Sequence, residues 1–186
     1  NSDIIYLPID TTPKTGSTYC QNYNISFERP CDFVIKIDGV ENSRIAVQER
    51  YEVMRAMYLH ETEGYDAYAN PVDPDTPVFK PINLILQTST VLLQNDENAS
   101  MEIYETGKLK YGNANPKSAD FDSLADFMFN GDYIELKLPW QILNFANPSE
   151  MMIHDDYYEN YGVEYIKIDE MYVGLCGGEG SEYRVK

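Results

Sequence analysis

Two kinds of segment in this chain carry residue types that could do chemistry: acidic loops and tyrosine clusters. Asp73-Pro74-Asp75 and His154-Asp155-Asp156 are the densest groups of oxygen donors. Calcium takes about six to eight oxygens, usually from several loops, so Asp73, Asp75, Asp155 and Asp156 are the candidate metal ligands. The alternative is a pair of solvated acidic loops. Asp73 does not open an EF-hand, because the central glycine and the distal glutamate are not in place. Tyr58, Tyr65 and Tyr68 lie in or beside the acidic stretch from Gly64 to Pro77, and Tyr157, Tyr158 and Tyr161 lie in "HDDYYENYG". Asp66, Asp155, Asp156 and Asn160 stand among them as acceptors. Sugar recognition needs that mixture of flat apolar rings and polar partners. Tyr65, Asp66, Tyr68, Tyr157, Tyr158 and Tyr161 are therefore the candidate ligand contacts. The alternative is tyrosine packed over sheet edges, where a half-wet ring is at home.

Signatures of catalysis are missing. His60 and His154 are the only histidines, and neither has a partner four residues on, which excludes a paired-histidine zinc motif. No nucleophile elbow, P-loop or dinucleotide fingerprint occurs. A glycoside hydrolase needs only a pair of carboxylates, and 31 acidic residues cannot single one out. "GLCGGEG" around Cys176 has no strand-to-helix phosphate context and reads as a loop. The triplets at Asn24 and Asn98 match the N-glycosylation pattern, which arises often by chance. Cys20, Cys31 and Cys176 are an odd set without metal-binding spacing. A Cys20–Cys31 bridge would close a short loop and stabilise by ~3 kcal/mol. The alternative is three reduced thiols.

Composition narrows the partners. The 186 residues suit one domain, and 43% hydrophobic content suits a packed core. A net charge of −17 repels phosphate backbones and anionic membrane surfaces, so no nucleic-acid partner is expected. The same charge favours cations. No apolar run approaches the length of a membrane span, so no direct membrane insertion is expected. The chain begins at Asn1 rather than Met, as expected of a processed chain or an excised piece of a larger one.

The elements that must position these residues read as short strands. "DIIYLPID" opens as a strand and "TTPKTGSTY" follows as a loop. "DFVIKIDG" alternates Phe33, Ile35 and Ile37 against Val34, Lys36 and Asp38, then ends in an Asp-Gly turn signal. "SRIAVQERYEVMRAMYLHE" keeps period two through Tyr51 and Val53 and is read as strands; the alternative is a helical face marked by Met54, Met57 and Tyr58. Three prolines make Gly64–Pro77 a long exposed loop. "INLILQTSTVLLQ" holds two strand-like runs, and "MEIYETGKLKYGN" is a hairpin candidate around Thr106-Gly107. "SADFDSLADF" is expected to form one helical turn. In "DFMFNGDYIELKLPW", Asn130-Gly131 suits a type I′ turn, and Ile134, Leu136 and Leu138 face away from Tyr133, Glu135 and Lys137. Pro139 ends that ladder, having no N–H to donate. "WQILNF" is expected to turn helically, with Trp140 as a core plug rather than a stacking platform. "GVEYIKIDEMYVGL" adds two strand-like runs. About ten strands without a long amphipathic helix predict an all-β, antiparallel β-sandwich of jelly-roll or Ig-like type.

"IYLPIDTTPKTGS", "FERPCDFVIKIDG" and "GDYIELKLPWQIL" follow one another in an order that resembles the family 9 carbohydrate-binding-module and DOMON-like β-sandwiches. The matching positions are Asp10, Asp38-Gly39 and Glu135 to Trp140. The chain is also similar to extracytoplasmic domains of large bacterial surface proteins. The resemblance implies a single noncatalytic, extracellular or cell-surface module spanning residues 1–186, with a glycan and neighbouring domains as partners. Sugar-binding members of the family clamp their ligand between two exposed tryptophans. This chain has one, Trp140, at the Pro-Trp position. The other functions open to it are a structural or protein-interaction module and a glycan-acting enzyme.

Overall fold

A computed structural model describes residues 4–52, 71–86, 102–160, 164–177 and 184–185. Strand β1 (Ile5–Asp10) opens the fold. Next come β2 (Ser17–Cys20) and β3 (Ile25–Cys31), then β4 (Phe33–Ile37) and β5 (Arg44–Gln48). Short strands β6 (Phe79–Pro81), β7 (Asn83–Ile85) and β8 (Ile103–Glu105) follow. A hairpin of β9 (Phe127–Asn130) and β10 (Tyr133–Leu136) leads to β11 (Phe145–Asn147), β12 (Met152–His154) and β13 (Tyr165–Lys167). The C-terminal part adds β14 (Tyr172–Val173), β15 (Cys176–Gly177) and β16 (Arg184–Val185).

The main sheet runs β14-β1-β4-β5-β6, and β15 joins the same edge of β1 as β14. Its pairings are all antiparallel. Smaller sheets are β2–β3, β7–β8, β9–β10 and β11-β12-β13, also antiparallel. Among the strands described, β16 alone pairs in parallel, with β3, and the isolated bridges Tyr111–Phe127 and Asn113–Phe121 are parallel as well. The helices described are short turns, so the expected all-β, antiparallel class is the one observed.

The main sheet has a core on each face. Ile9, Phe33, Ile35, Ile37, Ile45 and Val47 point one way and meet Phe127, Leu143, Phe145 and Ile153. Val34, Ala46 and Phe79 belong to the other core, with Ile25, Phe27, Cys20, Cys31 and Cys176. The alternation seen in "DFVIKIDG" thus sorts residues between two interiors. Lys36 stays at the rim of the second interior because Asp38 neutralises it at 2.6 Å.

All three thiols are free. The ladder sets Cys31 opposite Ser17 and Cys20 opposite Ile25. Three residues along a strand are roughly 10 Å, beyond the ~7 Å that a disulfide can bridge between Cα atoms. Burial pushes the Cys20 thiol up to about 11 and raises Cys31 and Cys176 as well.

Several local expectations shift. Asn130 joins the ladder opposite Tyr133, so Gly131-Asp132 is the turn, with Gly131 at φ 61°. Glycine at the first central position suits a primed turn as well as Asn-Gly does. Ile134, Leu136 and Leu138 pack on the first core, as the alternation requires. Tyr51 does not continue β5; it closes a 3-10 turn, Glu49–Tyr51. From 53 to 70 the expected strands and loop fall outside the described residues, as do 87 to 101. The end of the acidic loop, Pro71–Val78, is irregular, but Thr76 is buried rather than exposed. The stretch from 118 to 126 forms turns, not a helix; Ser118, Asp120 and Asp122 bond locally, and Leu124 N–H donates to Asp122 Oδ1 at 2.9 Å. Such side chains compete with helical bonding. Cys176–Gly177 is not loop but a strand on β1.

Trp140 is no core plug. It starts the expected turn, Trp140–Leu143, yet 48% of it is exposed. Leu143 and Phe145 take the interior places, and the indole meets Phe145 edge-on at 4.9 Å.

Thr106-Gly107 does not turn a hairpin either. Strand β8 pairs back with β7, and Gly107 threads between Ile82 and β5. Its N–H donates to Ile82 O at 3.0 Å and its carbonyl accepts from Ile45 N–H at 2.8 Å. A Cβ on Gly107 would stand 2.5 Å from the Ile45 carbonyl oxygen. Gly107→Ala is therefore expected to cost about 1–3 kcal/mol by overpacking, read from the denaturant midpoint; an unchanged midpoint would contradict this close approach. The thiols give a second expectation. Native protein resists alkylation near ~pH 8, where an ordinary thiol reacts, and yields all three thiols on unfolding. Fast labelling of the native chain would contradict their burial.

Candidate functional site

The segment after β12, where Tyr157, Tyr158 and Tyr161 are the expected ligand contacts, is held down by a buried ion pair. Asp155 and Asp156 are buried. Arg50 Nε donates to Asp156 Oδ2 at 2.7 Å, with both side chains buried. The Arg50 guanidinium also reaches the Val72 carbonyl and lies over the Tyr158 ring at 4.9 Å. Asp156 has a local task too: its Oδ1 accepts from Tyr158 N–H at 2.9 Å. That is an aspartate N-cap on the short helix Tyr157–Asn160. Lys14 donates to both oxygens of Asp155 at 3.3 Å and to Glu159 at 3.2 Å. Glu159 first, then Asp155, raises the Lys14 pKa.

These contacts tie the loop after β1, the end of β5, the loop before β6 and the segment after β12. They leave Asp155 and Asp156 engaged by cations of the protein itself. Asp73 and Asp75 sit exposed in a different loop. Among the described residues, no three His, Cys, Asp or Glu side chains group as a metal site. The four proposed calcium ligands are thus not brought together. Tyr58, His60, Tyr65, Asp66, Tyr68, Asn98 and Tyr161 lie outside the described residues, and so do the side chains of Tyr157 and Asn160.

Two of the surface grooves among the described residues are bordered by aromatic side chains. One is lined by Asp10, Phe27, Arg29 and Tyr172 and spans about 520 Å³ including its solvent-facing mouth. Its aromatic face is already covered: the Arg29 guanidinium lies 3.5 Å from the Tyr172 ring centroid and pairs with Asp10 at 3.2 Å. Burial raises the Asp10 pKa, and Arg29 offsets part of that rise.

The other is larger and open, about 970 Å³ including its solvent-facing mouth. Val40, Glu41, Tyr104, Glu105, Lys108 and Tyr111 line it. Tyr104 is 61% exposed and Tyr111 41%. Gly107 explains why both border one groove, because it carries the chain from β8 across the edge of β5. Tyr111 is braced from behind by Phe127 at 5.4 Å and Phe129 at 5.7 Å between ring centroids. Glu105 is paired with Arg44 at 3.5 Å and Lys110 with Asp122 at 2.7 Å. This is a shallow floor with two aromatic faces and charged hydrogen-bonding groups. Tyr104 and Tyr111 did not stand out in the sequence, where attention falls on loops. Their signal is two tyrosines seven positions apart around a glycine in "YETGKLKY".

Comparison with protein-family models, with curated proteins and with solved structures returns no match. Among the described residues, no helix is long and apolar enough to cross a membrane.

The ion pairs of Arg50 and Lys14 give a direct expectation. Arg50→Met leaves Asp156 buried without its partner and should cost about 3–5 kcal/mol. Lys14→Ala, whose ammonium is exposed, should lower the urea midpoint far less. Equal losses would mean that burial does not set the strength of these pairs.

Proposed function

We propose that this chain is a noncatalytic, extracytoplasmic module that binds carbohydrate, with the Tyr104–Tyr111 groove as its contact surface. The single observation that carries this reading is that pair of exposed tyrosine rings on one open groove, one of them braced from behind. A sugar presents apolar C–H faces and hydroxyl edges. Tyrosine rings receive the first, and Glu41 and Lys108 can bond the second. Loss of ring entropy on binding is small where Phe127 and Phe129 already hold Tyr111 in place.

Binding is favoured over catalysis on chemical grounds. The thiols are buried with raised pKa values, the reverse of an activated nucleophile. The resemblance to family 9 carbohydrate-binding and DOMON-like domains adds the cell-surface setting and the neighbouring domains to the proposal. A protein-interaction role draws on a different place, the exposed Val173 and Leu175 beside the edge of the main sheet.

A glycan array followed by calorimetry tests the reading. Saturable binding is expected, weakened about tenfold, or roughly 1.4 kcal/mol, by Tyr104→Ala or Tyr111→Ala. Trp140→Ala should leave it unchanged. Absence of any glycan ligand, or binding that survives loss of both tyrosines, sinks the proposal.

A further inference from the structure

One edge of the main sheet is built around Pro8 and Gly174. Tyr172 and Val173 pair with Asp10 and Ile9, and Cys176 and Gly177 pair with Tyr6 and Ile5. Both pairings keep one register, so β14 and β15 are two parts of a single strand laid along β1. Between them, Gly174 N–H donates to the Pro8 carbonyl at 2.9 Å. Pro8 has no N–H to return, which interrupts the ladder there.

The bond at Gly174 also sets the phase of the strand. In an antiparallel pair, residues alternate between bonding their partner and turning their N–H and carbonyl groups away from it. Tyr172, Gly174 and Cys176 bond toward β1, so Val173 and Leu175 turn theirs outward. Among the described residues, no strand meets them there. Their side chains are bare as well, 58% and 69% exposed.

Such an edge is a template for a further strand, and proteins usually blunt it with charge or proline. The opposite edge is blunted, since β6 carries Lys80 and ends in Pro81. Met171 to Gly178 holds no charged residue, in a chain that is 24% charged. Both faces of this bare edge are apolar. On the face that Gly174 shares with Cys176 and the second core, the groove lined by Pro8, Phe27 and Pro30 opens. On the other face, Val173 stands opposite Ile9, at the margin of the first core.

Charge selects the occupant. Glu28 lines the groove, and Asp169 and Glu170 come just before the strand. The neighbouring cation, Arg29, is already held by Asp10 and the Tyr172 ring. A second copy would bring a charge of −17 against −17. A strand with lysine or arginine beside its apolar residues meets the opposite charge instead.

We propose that the edge at 172–177 takes up an extended apolar segment of a partner protein, flanked by lysine or arginine, as an added β-strand. The outward N–H and carbonyl groups of Val173 and Leu175 bond its backbone. Its alternate side chains cover Val173 and Leu175 on one face and enter the groove beside Gly174 on the other. This site is separate from the carbohydrate reading, because the Tyr104–Tyr111 groove is lined by other residues.

The test uses the full chain and peptides of about ten residues, random at the centre and flanked by lysine pairs. Binders are selected by display and measured by fluorescence anisotropy. Saturable binding is expected, with apolar residues at alternate positions of the selected peptides. Methylating alternate backbone amides should abolish binding in one phase and spare it in the other, as an added strand requires. Leu175→Pro removes one outward N–H, leaves the bonds to β1 in place, and should weaken binding about tenfold. Leu175→Lys carries the test if the proline variant does not fold, since its ammonium repels the lysine flanks and should weaken binding as much. Tyr111→Ala should leave binding unchanged. Failure to select any binder overturns the proposal. So does binding that survives both changes at Leu175, or that glutamate-flanked peptides match. A concentration-dependent dimer that Leu175→Pro abolishes gives the edge to a second copy and overturns it too.

Discussion

Phe33, Val34 and Ile35 are consecutive residues of one strand, and all three are buried. Side chains alternate along a strand, so β4 must be covered on both faces. That requirement organises the molecule. Strands β9 to β13 and the turn at Trp140 cover one face, and the β2–β3 hairpin covers the other. Full burial of an aliphatic side chain stabilises by roughly 1.5–3 kcal/mol, and β4 and β5 supply such side chains to both interiors. The cysteines follow from the same demand. They occupy the second core as small apolar groups, and their raised pKa values reflect that burial.

Burial on both faces pushes polar work to the ends of the strands. At one end, Asp32 takes the N–H groups of Thr11 and Thr12, while Arg50 and Lys14 hold Asp156 and Asp155. Acidic residues that look like surface decoration are thereby drawn inside. At the opposite rim, beside the β4–β5 turn, the chain runs past Gly107 and leaves Tyr104 and Tyr111 outside. Leu109, between them in sequence, is the residue of this stretch that enters the first core. The result is a molecule in which Asp32, Asp155 and Asp156 serve structure while Tyr104 and Tyr111 face solvent.

Much of the secondary structure was legible because it rests on near neighbours. The alternation in β4 and β10 and the helical turn after Pro139 appear where the residue pattern puts them, though the ladder ends at Leu136, ahead of the proline. Where local patterns misled, a distant contact decided. Asn130-Gly131 was one residue out because the ladder with Tyr133 claimed Asn130. Trp140 was misplaced because Leu143 and Phe145, close behind it, filled the interior first. Thr106-Gly107 was misread because β8 finds its partner about twenty residues upstream rather than just beyond the glycine. Asp155 and Asp156 look like solvated acids in the sequence because their partners, Lys14 and Arg50, arrive from far along the chain.

Strand content, antiparallel class and net charge were determined by the sequence itself. Each rests on composition or on periods of a few residues. Only the tertiary structure decided which acids are paired and buried and which aromatics are exposed. Those facts depend on meetings such as Arg50 with Asp156, 106 positions apart, and Lys14 with Asp155, 141 apart. The physical reason is that periodicity assigns a side chain to a face, while the partner waiting on that face is chosen by the packing of the whole chain.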